Sequence, residues 1–114
     1  MTADPVIVVV PPVEITEATL PAFERELMGY LEGHGGGLVV DLASVGFISS
    51  AGLGTLVRAG MRLDSRGRRL AFARAQGPAE HTLTLLGLDR MMPLFPTVEA
   101  ASAHVVAHAG PKRG

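Results

Sequence analysis

Val6-Ile7-Val8-Val9-Val10 opens the apolar pattern of the chain. A β-branched run predicts a strand, and the lack of polar alternation predicts burial on both faces. Pro11 and Pro12 end it. Leu20, Phe23, Leu27, Tyr30 and Leu31 then form the stripe of an amphipathic helix. Thr16 or Thr19 is placed to cap this helix, Pro21 suits its first turn, and Gly33-His34-Gly35-Gly36-Gly37 terminates it. Leu38 to Leu42 reads as a second strand, joined through Phe47 and Ile48 to another helical pattern: Leu53, Leu56, Val57, Gly60 and Met61. Their spacing puts these positions on one helix face. Ser49 or Ser50 caps it, and the basic residues near Arg66-Gly67 suit its C-terminal end. Leu70 to Ala73 is a third strand, and Gly77-Pro78 opens a helix carrying Leu83, Leu85, Leu86 and Leu88. Leu94-Phe95-Pro96 is an extended turn or short edge strand. Thr97 caps a last helix with Val98, Ala101, Val105 and Val106 as its apolar positions.

Strands alternating with helices predict an α/β fold with a small sheet of about four strands, mainly parallel or mixed. The 114 residues fit one domain, expected over residues 6–109, with a flexible N-terminus at 1–5 and a loose tail at 110–114. Nearly half the residues are hydrophobic (47%) but only 4% are aromatic, so the core is expected to be Val, Leu, Ala and Ile. The absence of cysteine excludes disulfides and Cys-ligated zinc and suits a cytoplasmic setting. A net charge of −1 gives no global field for nucleic acid or an anionic membrane. The longest apolar run, Val6 to Pro12, is too short to span a bilayer.

Candidate chemistry is sparse. His34-Gly35-Gly36-Gly37 matches the oxyanion segment of esterases, but the accompanying G-x-S-x-G elbow is missing, because Phe47 and Ile48 stand two residues before Ser49 and Ser50. A serine hydrolase is therefore the least supported reading. His104 and His108 have metal-ligand spacing without a third ligand nearby, so they read as surface histidines and no metal or other cofactor is expected. Arg66, Arg68 and Arg69 form a basic corner that suits a phosphate or an acidic partner, with a solvated loop as the blander reading. Asp41 ends a strand with no evident partner. Ser49 and Ser50 remain. Either can simply cap the helix, but a phosphate added there would face free amides and the positive end of the helix dipole. The helix would tolerate that charge, whereas an apolar or acidic partner packed over it would not.

Val39 to Gly54, with Phe47-Ile48-Ser49-Ser50-Ala51-Gly52-Leu53-Gly54 at its end, resembles the signature of STAS domains of the anti-sigma factor antagonist type. Val13-Glu14-Ile15-Thr16, Thr19-Leu20-Pro21-Ala22-Phe23 and the stretch from Gly87-Leu88 through Thr97-Val98-Glu99-Ala100-Ala101 resemble other parts of that family's pattern. The resemblance implies a bacterial regulator without catalysis of its own. It would bind an anti-sigma factor, usually a GHKL-type serine kinase, and so free a sigma factor for transcription. It further implies that the kinase phosphorylates one serine to break the complex and that a PP2C-type phosphatase restores it. By position that serine is Ser50, with Ser49, Ala51, Gly52, Leu53 and Gly54 bordering the partner contact. Three departures are visible, the first being that Val13-Glu14-Ile15-Thr16 lacks the turn glycine and the final acid of the family's G-E-L-D. Ser49 stands where the family has aspartate, and only one strand run precedes Val13 where the family has two. An altered sheet edge invites self-association, so a weak homo-oligomer is a further expectation. The alternative within the family is a non-phosphorylated scaffold module of a signalling assembly.

Overall fold

The computed structural model describes residues 6–33 and 35–108. The expectations for residues 1–5, His34 and the tail from 110 lie outside them. Four strands form a wholly parallel sheet: β1 (Ile7–Val9), β3 (Leu38–Asp41), β5 (Leu70–Ala73) and β6 (Leu94–Phe95), in the order β1-β3-β5-β6. A separate parallel pair joins β2 (Glu14–Ile15) to β4 (Phe47–Ile48). The helices are α1 (Leu20–Gly33), α2 (Ser50–Ser65), α3 (Gly77–Leu85), the single-turn α4 (Leu88–Met91) and α5 (Val98–Ala107).

The strand pleat divides the core in two. Val9, Leu38, Val40, Leu70 and Phe72 point to the side occupied by Phe23, Leu27 and Leu31 of α1 and Leu53, Leu56, Ala59 and Leu63 of α2. Val39, Ala71 and Ala73 point the other way, onto Ala101 and Val105 of α5. Small residues on this second face let α5 lie close to the sheet. A side chain at Gly37 would meet Cβ of Val105 at 2.8 Å, so glycine is needed there.

This layering corrects the expectation of a first strand buried on both faces. Val9 is buried, but Val8 is 42% and Val10 59% exposed. Val8 pairs with Val39 and so shares the α5 side of the sheet. One helix there covers β3 and β5 and leaves the edge strand bare.

Three smaller expectations are corrected for related reasons. On α2 the buried stripe runs through Leu53, Leu56, Ala59 and Leu63, while Met61 is 57% exposed. On α3 only Ala79 and Leu83 are buried, and Leu85 and Leu86 point to solvent at its C-terminal end. Arg68 is no solvated loop residue. It is 7% exposed, and its guanidinium donates to the carbonyls of Gly36 (2.7 Å) and Leu31 (2.9 Å). It thereby ties the end of α1 and the glycine segment to the start of β5.

Candidate functional site

The N-terminus of α2 is built by the β2–β4 pair. Glu14 pairs with Phe47 and Ile15 with Ile48, which turns the two isoleucines inward and leaves Glu14 and Phe47 outside. The Ser49 N–H donates to the Ile15 carbonyl (2.8 Å), so the residue before the helix is fixed by the ladder. Ser49 is extended (φ −74°, ψ 167°), and its Oγ accepts from the Gly52 N–H at 3.1 Å. Its carbonyl accepts from Leu53 (2.9 Å). Ser49 is therefore the cap, nearly buried at 9% exposure, with its hydroxyl engaged.

Ser50 is the first residue of α2 and is exposed. Of the expected contact residues, Ala51 and Gly54 are half-buried, whereas Gly52 and Leu53 are buried. Gly52 lies under the β2–β4 pair, where an added Cβ would stand 2.6 Å from Ile15 Cγ2. That close approach accounts for the glycine inside the first helical turn. The accessible surface at this end consists of Ser50 with parts of Ala51 and Gly54, bordered by Phe47, which is 49% exposed. Val13 is 63% exposed, and its carbonyl accepts from Gly46 just before Phe47 (2.8 Å). Phe47, an apolar residue of the link between strand and helix, and Val13 are thus surface residues that the sequence pattern does not single out. The signal that could have found them is the alternation Val13-Glu14-Ile15 and Phe47-Ile48, legible only once the two strands are known to pair.

Asp41, at the carboxyl end of β3, has a partner after all. Arg74 donates to Oδ1 through Nε (3.0 Å) and to Oδ2 through Nη2. These bonds hold the Asp41 carboxyl below its usual value against the opposing effect of burial, with the Ala43 N–H adding to them. Arg74 adopts a left-handed backbone (φ 59°) to make this pair, a conformation uncommon outside glycine. The glycine segment serves packing. The Gly36 carbonyl takes the Arg68 bond, and the Gly37 carbonyl accepts from Ile7 (3.1 Å). On α5 the rings of His104 and His108 are 4.2 Å apart, yet no group of three potential metal ligands forms among the described residues. No helix of the described residues is long and apolar enough to cross a membrane.

A parallel sheet with helices on both faces, and a serine presented at a helix start beside an exposed apolar rim, define an α/β domain with one accessible helix end. The chain belongs to the STAS domain family, whose profile matches residues 2–101. Among solved structures, an anti-sigma factor antagonist from Mycobacterium paratuberculosis is 32% identical, with a TM-score of 0.76 over 93% of this chain and 90% of that one. An anti-sigma-factor antagonist (STAS) domain protein from Planctomyces limnophilus shares the fold at 17% identity, with a TM-score of 0.71 over 87% and 89% of the two chains. The murine Slc26a9 anion transporter also contains this fold, at 15% identity and a TM-score of 0.72, over 94% of this chain and 18% of the transporter. A search of curated proteins gives no match.

Proposed function

We propose that the chain is an anti-sigma factor antagonist whose binding to an anti-sigma factor is ended by phosphorylation of Ser50. The partner is a GHKL-type serine kinase that otherwise holds a sigma factor. It transfers the γ-phosphoryl of ATP to Ser50 Oγ, releasing ADP and the hydroxyl proton, and a PP2C-type phosphatase reverses the modification. The observation that carries this reading is the division of labour between the two serines: Ser49 spends its hydroxyl on the cap, while Ser50 is exposed at the first helical position. Similarity to the Mycobacterium paratuberculosis antagonist supports the general role.

The physics of the switch is local. A phosphate brings about −1.5 to −2 charges. Facing the first free amides of α2, that charge is accommodated by the chain itself. A partner seated on Phe47 and Ser50 would have to desolvate it, and truncated or mismatched buried charges weaken complexes by several kcal/mol. Aspartate in the family and serine at position 49 both serve as caps, so the exchange keeps the helix start and removes only a carboxylate.

The test is phosphosite mapping by mass spectrometry after incubation with the cognate kinase and ATP. Phosphate on Ser50, binding retained in Ser50→Ala and weakened in Ser50→Asp are the expected results. Phosphate elsewhere, or none, would overturn the switch. A second reading, a scaffold module without phosphorylation, draws on the transporter that carries the same fold. It predicts a complex indifferent to kinase and ATP.

A further inference from the structure

The last two turns of α2, the approach to β5, the α4–β6 connection and the C-terminal half of α5 enclose a cleft of about 620 Å³. Its charged lining is one-sided. Arg68, Arg69 and Arg90 face a single acid, Asp64, and His104 and His108 complete the wall. The chain as a whole carries −1, so these cations are gathered at one place. Basic residues at the end of α2 also complement the helix dipole. That role does not call for Arg90, His104 or His108, which arrive from α4 and α5.

The parts differ in how firmly they are held. Arg68 is fixed by its two carbonyl acceptors. Arg69 pairs with Asp64 at 3.2 Å. Arg90 is exposed. The His108 Nδ1 donates to the His104 carbonyl (2.9 Å), which leaves Nε2 for another partner. The Phe95 ring packs 5.0 Å from that of His104. Met61 and Met91 stand at the rim, 57% and 50% exposed, and Pro93 lies between the walls. Methionine adapts readily to apolar ligands of varied shape.

We propose that this cleft binds a small organic oxyanion, a phosphate or carboxylate on an apolar body. Arg69, Arg90 and His108 hold the charged group, and Met61, Met91 and Pro93 receive the rest. The C-terminal ends of α2 and α5 each oppose an anion with about half a charge, and together with Asp64 they are still outweighed by Arg68, Arg69 and Arg90. Burial, His108 and Arg69 together lower the His104 pKa, and a bound anion would reverse the electrostatic part. The groups facing His104 are Arg69, His108 and the ring of Phe95, with Arg68, Asp64 and Arg90 around the same cleft. Binding therefore tightens as pH falls and His104, held below its ordinary value, takes up its proton. The site lies roughly 15–20 Å along α2 from Ser50 and is independent of the switch proposed there.

The experiment is an NMR titration of the full labelled chain with phenyl phosphate, benzoate and inorganic phosphate. Shifts centred on Arg90, His104 and His108 are expected. Phenyl phosphate should bind more tightly than inorganic phosphate, which lacks the apolar body, and the benzoate arm separates carboxylate from phosphate as the preferred group. Arg90→Glu and His108→Ala, both at exposed positions, should each weaken phenyl phosphate about tenfold. Arg25→Glu makes the same charge change on the exposed surface of α1 and should leave binding within about twofold. Equal weakening by Arg25→Glu and Arg90→Glu, shifts away from the cleft, or no shifts with any of the three probes would overturn the proposal.

Discussion

Ser49 Oγ is committed to the Gly52 amide, and this makes the two adjacent serines separable by stability alone. Ser49→Ala is expected to cost about 1 kcal/mol through loss of the cap. Ser50→Ala, at an exposed position, should stay within about 0.5 kcal/mol of the parent. Urea unfolding of both variants checks this, and a larger loss from Ser50→Ala would mean that the roles are reversed. Gly52→Ala places a methyl 2.6 Å from Ile15, within a buried contact, and should cost about 1–3 kcal/mol. An unchanged urea midpoint would show that α2 and the β2–β4 pair can separate freely. Asp41 provides the pH dependence. Its folded pKa lies below the unfolded value, so its contribution is complete above about pH 4 and is lost as pH falls through the lower folded value. The parent should therefore lose more stability than Asp41→Asn as pH falls below about 4. Parallel acid titrations of the two chains would refute the pair's role.

At the scale of elements, the β2–β4 pair has only two residues on each side, yet it places the start of α2. Its inward isoleucines hold Gly52, and its outward Phe47 borders Ser50. The last helix starts in the same manner as α2. The Thr97 side chain accepts from Ala100 at 3.0 Å, as expected from the sequence. Thr97→Ala should lower stability by about 1 kcal/mol and raise hydrogen exchange in the first turn of α5 before the rest. Uniform exchange along α5 would argue against a capping role. The helices read from sequence were recognisable because period and cap are local signals, written within a few neighbouring residues. The short strands were harder. Two residues have no periodicity, and Glu14-Ile15 becomes a strand only because Phe47-Ile48 lies beside it.

In the whole molecule, α1 and α2 share one face of the sheet and α5 the other. Both cores depend on the same strands, so they should unfold together. Leu27→Ala is expected to cost about 2–5 kcal/mol, and Val105→Ala less, because its core is thinner and lined by alanines. Calorimetry of each variant should retain one transition. A separate low-temperature transition in Val105→Ala would show that α5 is an independent unit.

The alternation of strand and helix, the cap at Thr97 and the placing of two serines at the start of α2, one of them its cap, follow from the sequence by itself. Each depends on residues within a turn or two of one another. Tertiary structure decided what depends on distant partners. It put the Val6–Val10 run at an edge, where one helix cannot cover it, and gave Asp41 to Arg74. It also buried Arg68 against the carbonyls of Leu31 and Gly36 and brought Arg90 and His108 to the same cleft. Burial and pairing are properties of the assembled core. A residue's own chemistry limits them, but only the packed neighbours select among the outcomes it permits.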